Sequence, residues 1–216
     1  MMYLNKNFIN IDFLKNPGSL IILISGIICI ISTFVFLPLG VITFFGFIYL
    51  IIILRPIQKK IEENFTIKNK NDVFAPIDGI ISKIHNQNDT IIIIFSPDLF
   101  SSQVQYSPIL GLLYQQIWYA GTFNSEENDE IDETNAKREF VFENSNKNHI
   151  ILTQKANPIC RFLFSFIEDG VNVSPNSHIG FSFLFGKLEL QIPSNMKVLV
   201  YEGQRCLAKE TIIASS

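Results

Sequence analysis

From Ser19 to Leu54 the chain runs about 36 residues without a charged side chain. A single helix needs only ~20 apolar residues to cross the hydrocarbon core of a bilayer, so one straight span would be too long. Pro38-Leu39-Gly40 falls near the middle, where proline and glycine favour a bend, and two segments of about 18 residues folded as a helical hairpin fit the run better. Lys6 and Lys15 precede the run and Arg55, Lys59 and Lys60 follow it. The positive-inside rule puts both flanks on one, cytoplasmic side, which a hairpin satisfies and a single span does not. A cleaved signal peptide fits poorly, because the apolar region is overlong and no A-x-A-like site follows. Depth stays open between a full crossing and a re-entrant hairpin, since each arm is near the short end of the spanning range. The expected organisation is a cytoplasmic segment over 1–18, a membrane hairpin over 19–54, a linker over 55–72 and one further domain over 73–216.

That domain reads as strands. Branched and aromatic runs recur between turn signals at Gly79 to Ile84, Thr90 to Phe95, Leu110 to Tyr119, Glu139 to Phe142, His149 to Thr153, Ile179 to Phe185, Leu188 to Ile192, Lys197 to Tyr201 and Thr211 to Ala214. At most a short helix is expected around Pro158 to Glu168, giving a mainly β (α+β) single domain behind the hairpin. With 216 residues and 48% hydrophobic content, one core-bearing domain beside the membrane segment is the limit.

Net charge is −3, and because the first 60 residues are net basic the remainder is more acidic than that figure suggests. An acidic body without a basic stripe excludes nucleic acid as a partner, since phosphate contacts need clustered Lys and Arg. Cys29, Cys160 and Cys206 stand far apart and read as small buried residues rather than a disulfide or zinc framework. His85, His149 and His178 lack metal-ligand spacing and read as surface or loop residues. The acidic run Glu126, Glu127, Asp129, Glu130, Asp132, Glu133 lacks the glycine-bearing pattern of a calcium loop and reads as a solvated loop.

Ala75-Pro76-Ile77-Asp78-Gly79 sets an aspartate on a tight turn entering a strand. Taken in order with Arg55-Pro56, the segment Ala156 to Arg161, Gly170-x-x-Val173, Gly180 ahead of "FSFLFGKLELQIP" and the ending "VLVYEGQRCLAKETIIA", it resembles the phosphatidylserine decarboxylase family in its short, membrane-tethered form, over most of residues 50–214. The resemblance implies a chain that cuts itself without an added cofactor: a serine after a glycine attacks the preceding carbonyl, the ester eliminates, and a pyruvoyl group remains to accept electrons during decarboxylation. It also implies an Asp-His-Ser triad for the cut.

Carried over residue by residue, the aspartate is Asp78. Anchoring on Pro108-x-x-Gly111 puts Gln103 at the histidine position, and anchoring on Phe95 puts Ser102 there; neither is a base near neutral pH. Gapless alignment from Gly180 to Pro193 sets the nucleophilic serine on Gly186, while matching the Phe-Gly pair sets it on Lys187. Neither carries a hydroxyl, so pyruvoyl formation is not expected at either. Ser182 is nearby as a displaced nucleophile, but Phe181 precedes it.

The expectation is therefore a family member of phospholipid metabolism that has lost self-processing and acts by binding phospholipid, a second copy or an active paralogue, at the bacterial inner membrane with the β domain on the cytoplasmic face, and with no cofactor. The alternative is an active decarboxylase, converting phosphatidylserine to phosphatidylethanolamine and carbon dioxide through a displaced nucleophile such as Ser182. A biotinyl or lipoyl carrier, suggested by "APIDG" and "NMKV", fits less well because Gly203 follows Lys197 too closely.

Overall fold

A computed structural model of the chain describes residues 17–35, 37–54, 71–98, 101–124, 134–182 and 186–215. The expectations for most of the N-terminal segment, for Arg55-Pro56 and most of the linker, for the acidic run at 126–133 and for Phe183 to Phe185 lie outside those residues. The chain divides into two compact units, residues 1–55 and 56–216.

The first unit is a hairpin of α1 (Pro17–Val35) and α2 (Leu37–Leu54). Leu37–Leu54 is long and apolar enough to cross a membrane, and the apolar stretch Leu20–Val35 is shorter. The helices are antiparallel, as three cross-contacts require: Ser32 Oγ lies 2.7 Å from Thr43 Oγ1, a Cβ at Gly40 would meet Thr33, and a Cβ at Gly26 would meet Phe47. The first helix ends at Val35 and the second begins at Leu37, so Pro38-Leu39-Gly40 lies within the second helix. Pro38 sits in the first turn of α2, where its missing N–H costs nothing. Gly40 then has a different purpose from the bend expected of it: any Cβ there would stand 2.7 Å from Thr33 Cα, so its bareness sets the helix spacing. The hydroxyls on this apolar pair are satisfied locally, Ser32 and Thr33 donating to the Cys29 carbonyl at 2.9 and 2.8 Å.

The second unit is mainly β. Its strands are β1 (Val73–Phe74), β2 (Gly79–Gln87), β3 (Thr90–Ser96), β4 (Val104–Tyr106), β5 (Gly111–Tyr119), β6 (Lys137–Glu143), β7 (His149–Lys155), β8 (Leu163–Ser165), β9 (Val171–Val173), β10 (His178–Ser182), β11 (Leu188–Pro193), β12 (Lys197–Val198), β13 (Arg205–Cys206) and β14 (Ile212–Ser215). Eight form one antiparallel sheet in the order β13-β2-β3-β11-β7-β6-β5-β9, and two three-stranded sheets, β1-β14-β12 and β4-β10-β8, accompany it. The β2–β3 hairpin turns on Asn88, whose φ of 54° is the left-handed conformation asparagine tolerates better than most residues. Inward side chains of the large sheet, among them Ile81, Ile93, Phe95, Leu113, Phe140, Leu152 and Leu190, are fully buried in one core.

No helix forms at Pro158 to Glu168. Asn157 ties Ile159 and Cys160 into a tight turn through its side chain, and Leu163–Ser165 then pairs with β10 instead. The run at Lys197 is also shorter than expected, ending at Val198. All three cysteines are buried and none is in a disulfide. His149 is exposed, but His85 and His178 are half-buried, and all three lie in strands rather than loops.

β10 is the middle strand of its sheet, pairing Gly180 with Gln105 on one side and Ser165 on the other. A Cβ at Gly180 would run into the Phe164 carbonyl oxygen, so β8 can approach only glycine here. Gly180→Ala is expected to destabilise the body by about 1–3 kcal/mol in denaturant unfolding; unchanged stability would show that β8 can move away freely.

Candidate functional site

Residues 182–187 follow from the end of β10. Ser182 is fully buried, and Gly186 returns against it: a Cβ on Gly186 would lie 2.8 Å from Ser182 Cβ and Oγ and 2.8 Å from Cys160 Sγ, closer than side-chain carbons come. The Cys160 sulphur therefore occupies the direction in which any side chain at 186 would leave the backbone. Ser182 Oγ accepts a hydrogen bond from Gln105 Nε2 at 2.9 Å, and Gln105 Oε1 accepts in turn from Gln154 Nε2. Gln105 and Gln154 are both fully buried. The serine is thus held by neutral amides, which neither take nor give a proton near neutral pH.

Gln103 and Ser102, the two residues in the histidine register, are buried at the entry to β4. Gln103 Nε2 donates to the Ser101 carbonyl at 3.3 Å, and its Oε1 is buried without a hydrogen bond. Ser102 Oγ accepts from the Val104 N–H at 3.3 Å. β4 pairs Val104 with Phe181, and Gln103 precedes that pair. Lys187, half-buried, leads into β11, and its carbonyl accepts from the Lys155 N–H at 3.1 Å. The Lys155 side chain forms an ion pair with Glu189 at 2.6 Å, both largely buried.

Asp78 belongs to a second group. Its Oδ1 accepts the Ala208 N–H at 2.8 Å, tying the turn before β2 to the one before β14. Beside Ala208 is Lys209, only 4% exposed and with φ of 67°, its Nζ 4.0 Å from the Tyr106 ring centroid. His178 meets the same ring edge-on at 4.8 Å. Burial drives the Lys209 pKa down to about 8, against the opposing pull of Asp78. Burial first, then the Lys209 charge, pushes His178 below its usual value. Cys206 is pushed up to about 11, by burial and next by Asp78.

The structure therefore gathers Ser182 and Gly186 with Gln105, Gln154 and Cys160, while Asp78 consorts with Lys209, Tyr106, His178 and Cys206. Neither Lys209 nor the glutamine pair is marked in the sequence: a lysine in "LAKET" reads as a surface charge, and only the packing of that turn over Tyr106 buries it.

No protein-family model matches the chain. Curated relatives do, and those named here are all phosphatidylserine decarboxylase proenzymes. That of Nitrobacter winogradskyi is 28% identical over 66% of this chain and 62% of its own length. That of Novosphingobium aromaticivorans is 25% identical over 83% of this chain and 73% of its own, and that of Ehrlichia ruminantium (strain Welgevonden) 26% over 93% and 90%. The match to the Nitrobacter protein thus spans less than two thirds of that relative. The molecule is a β-rich domain behind an apolar helical hairpin. It is a relative of the phosphatidylserine decarboxylase proenzymes.

The Lys209 shift has a measurable consequence. The native chain releases this proton near pH 8 and the unfolded chain near 10.5, so between those values the unfolded state binds more protons and stability rises with pH. Below pH 8 the burial penalty is felt in full. Cys206 acts oppositely, holding its proton natively up to about 11 against 9 unfolded. Lys209→Met is expected to show its largest stability advantage over the parent below pH 8, shrinking toward pH 10.5 in unfolding titrations. An advantage that does not vary with pH would show that Lys209 titrates normally.

Proposed function

We propose that the chain is a membrane-tethered, phosphatidylserine decarboxylase-related protein of phospholipid metabolism that does not process itself and acts by binding, to phospholipid or to an active relative. The observation that carries this reading is the closed space at Gly186. A pyruvoyl group is made from a hydroxyl-bearing residue, and Gly186 has neither the oxygen nor the room for one. Lys187, in the other register, has no leaving group on its Cβ. The residues present do not fit that prosthetic group, and Asp78, at the one retained triad position, is engaged with the Ala208 N–H.

The alternative, an active decarboxylase cutting at Ser182, draws support from the position of that hydroxyl, 2.8 Å from where a Gly186 Cβ would stand. Against it, Phe181 is paired on both sides, with Val104 and Phe164, and Ser182 is paired with Leu163, so attack on the preceding carbonyl needs that strand end to buckle. The hydroxyl also faces an amide rather than a base.

The expressed full chain is expected to run as one band at 24.7 kDa, to yield no pyruvate-blocked fragment by mass spectrometry, and to release no carbon dioxide from phosphatidylserine vesicles. Gly186→Ser alone is expected to stay intact as well. Two fragments from the parent chain would overturn the reading, and a cut between Phe181 and Ser182 would establish the alternative.

The positive flanks of the hairpin support a body on the cytoplasmic face of the inner membrane. Protease is therefore expected to digest residues 71–215 in inverted vesicles and to spare them in intact spheroplasts; the reverse pattern would refute this placement.

A further inference from the structure

The turn at 157–162, between β7 and β8, is fastened from within. Asn157 Oδ1 accepts from the N–H groups of Ile159 and Cys160 at 2.9 and 2.6 Å, the Asn157 N–H donates to the Cys160 carbonyl at 2.9 Å, and Arg161 Nε donates to the Pro158 carbonyl at 3.1 Å. Cys160 points inward, but Ile159 and Phe162 stand 60% and 63% exposed. Phe162 is backed by stacked rings, 6.2 Å from Phe164, which lies 4.5 Å from buried Phe181. An apolar side chain on a loose loop can fold down onto the surface; these two are held out into solvent by hydrogen bonds and ring support.

Cations and aromatics border them. The Arg138 guanidinium lies over Trp118 at 5.4 Å and reaches the Leu163 carbonyl at 3.5 Å, and Arg161 lies over Phe123 at 5.7 Å. Trp118 is 48% exposed. Aromatic rings with a polar edge, arginines with an apolar stem and protruding aliphatic groups are the combination that suits the boundary between headgroups and acyl chains.

We propose that this face of the body, formed by Trp118, Phe123, Arg138, Ile159, Arg161 and Phe162, seats on an anionic phospholipid surface. Ile159 and Phe162 enter the acyl boundary and the two arginines meet lipid phosphates. Charge complementarity favours lipid: in a body that is acidic as a whole, this face presents two arginines, and the neighbouring Glu139 is already bound to Lys137 at 2.9 Å. The acidic run at 126–133, joining Asn124 to Thr134 along the chain, opposes an anionic surface. The apolar pair must therefore supply most of the affinity, and salt dependence is expected to be shallow. A weak contact suffices, because an apolar hairpin on the same chain keeps the body at high local concentration near lipid. The inference requires membrane association but not loss of self-processing, so it stands or falls apart from the reading above.

Trp118 is the only tryptophan in the chain, which makes the face its own reporter. The full chain is reconstituted in phosphatidylcholine vesicles with and without phosphatidylglycerol, using ordinary or dibrominated acyl chains. In both mixtures, and more strongly with phosphatidylglycerol, Trp118 emission is expected to shift to the blue and to be quenched by the brominated lipid. Ile159→Asp and Phe162→Asp, made separately, are expected each to lose most of that quenching while keeping the parent circular dichroism and remaining with the vesicles. Trp118 unquenched by bromine and open to acrylamide in both lipid mixtures would overturn the proposal. A blue shift that grows with protein concentration in lipid-free detergent would overturn it too, by assigning the face to a second copy.

Discussion

Strand β10 is hydrogen-bonded on both sides, and the positions of the candidate site residues follow from that double pairing. One neighbour, β4, brings Tyr106 to His178 and Gln105 to the Gly180 level, from which its side chain reaches Ser182. The other, β8, brings the Phe164 carbonyl so close to Gly180 that no side chain is possible there. A residue in a doubly paired strand has little freedom to change its backbone angles, because each change costs ladder hydrogen bonds on two edges. Ser182, the last residue of β10, pairs with Leu163 of β8 alone, and the buried Gln105 amide holds its hydroxyl.

Two kinds of buried polar group lie on this frame. Around Ser182 they are neutral, and nothing there changes charge near physiological pH. Around Tyr106 they are ionic: Lys209 stands over the ring face, His178 at its edge, and Asp78 supplies the compensating charge while holding the turn before β14. The aromatic ring separates two groups that would both be cationic in acid; burial lowers the His178 pKa most, and the Lys209 charge adds to it. The Lys155–Glu189 pair completes a set of charges that are paired where they are buried, as the desolvation cost demands.

Strands with long branched runs were legible from the sequence, because β2, β3, β7 and β11 alternate or saturate their faces with isoleucine and leucine. The hairpin was legible too, its apolar run being too long for one span, although Pro38 proved to sit inside a helix start. What was not legible has a common cause. The two- and three-residue strands β1, β4, β8, β9 and β13 carry too few side chains to show a period, and they form because a neighbouring strand offers an edge. Around Pro158 to Glu168 the sequence allows at most a short helix, and none forms: Asn157 captures the N–H groups of Ile159 and Cys160 that a helix would direct to its own carbonyls. At the site, Gly186 and Ser182 were legible as a pair close in sequence. Lys209 was not, since its burial depends on Tyr106, a residue more than a hundred positions away along the chain.

The meeting of Cys160 with Gly186 bears on how this protein can change over evolutionary time. A glycine is ordinarily the easiest residue to mutate outward, since nearly every substitution adds atoms. Here the first added carbon encounters sulphur on one side and a strand on the other, so single-step variants at 186 are penalised before any chemistry is at stake. A side chain at 186 therefore needs Cys160 or Ser182 to give way, so the tolerance of this glycine depends on residues separated in the chain but joined in space.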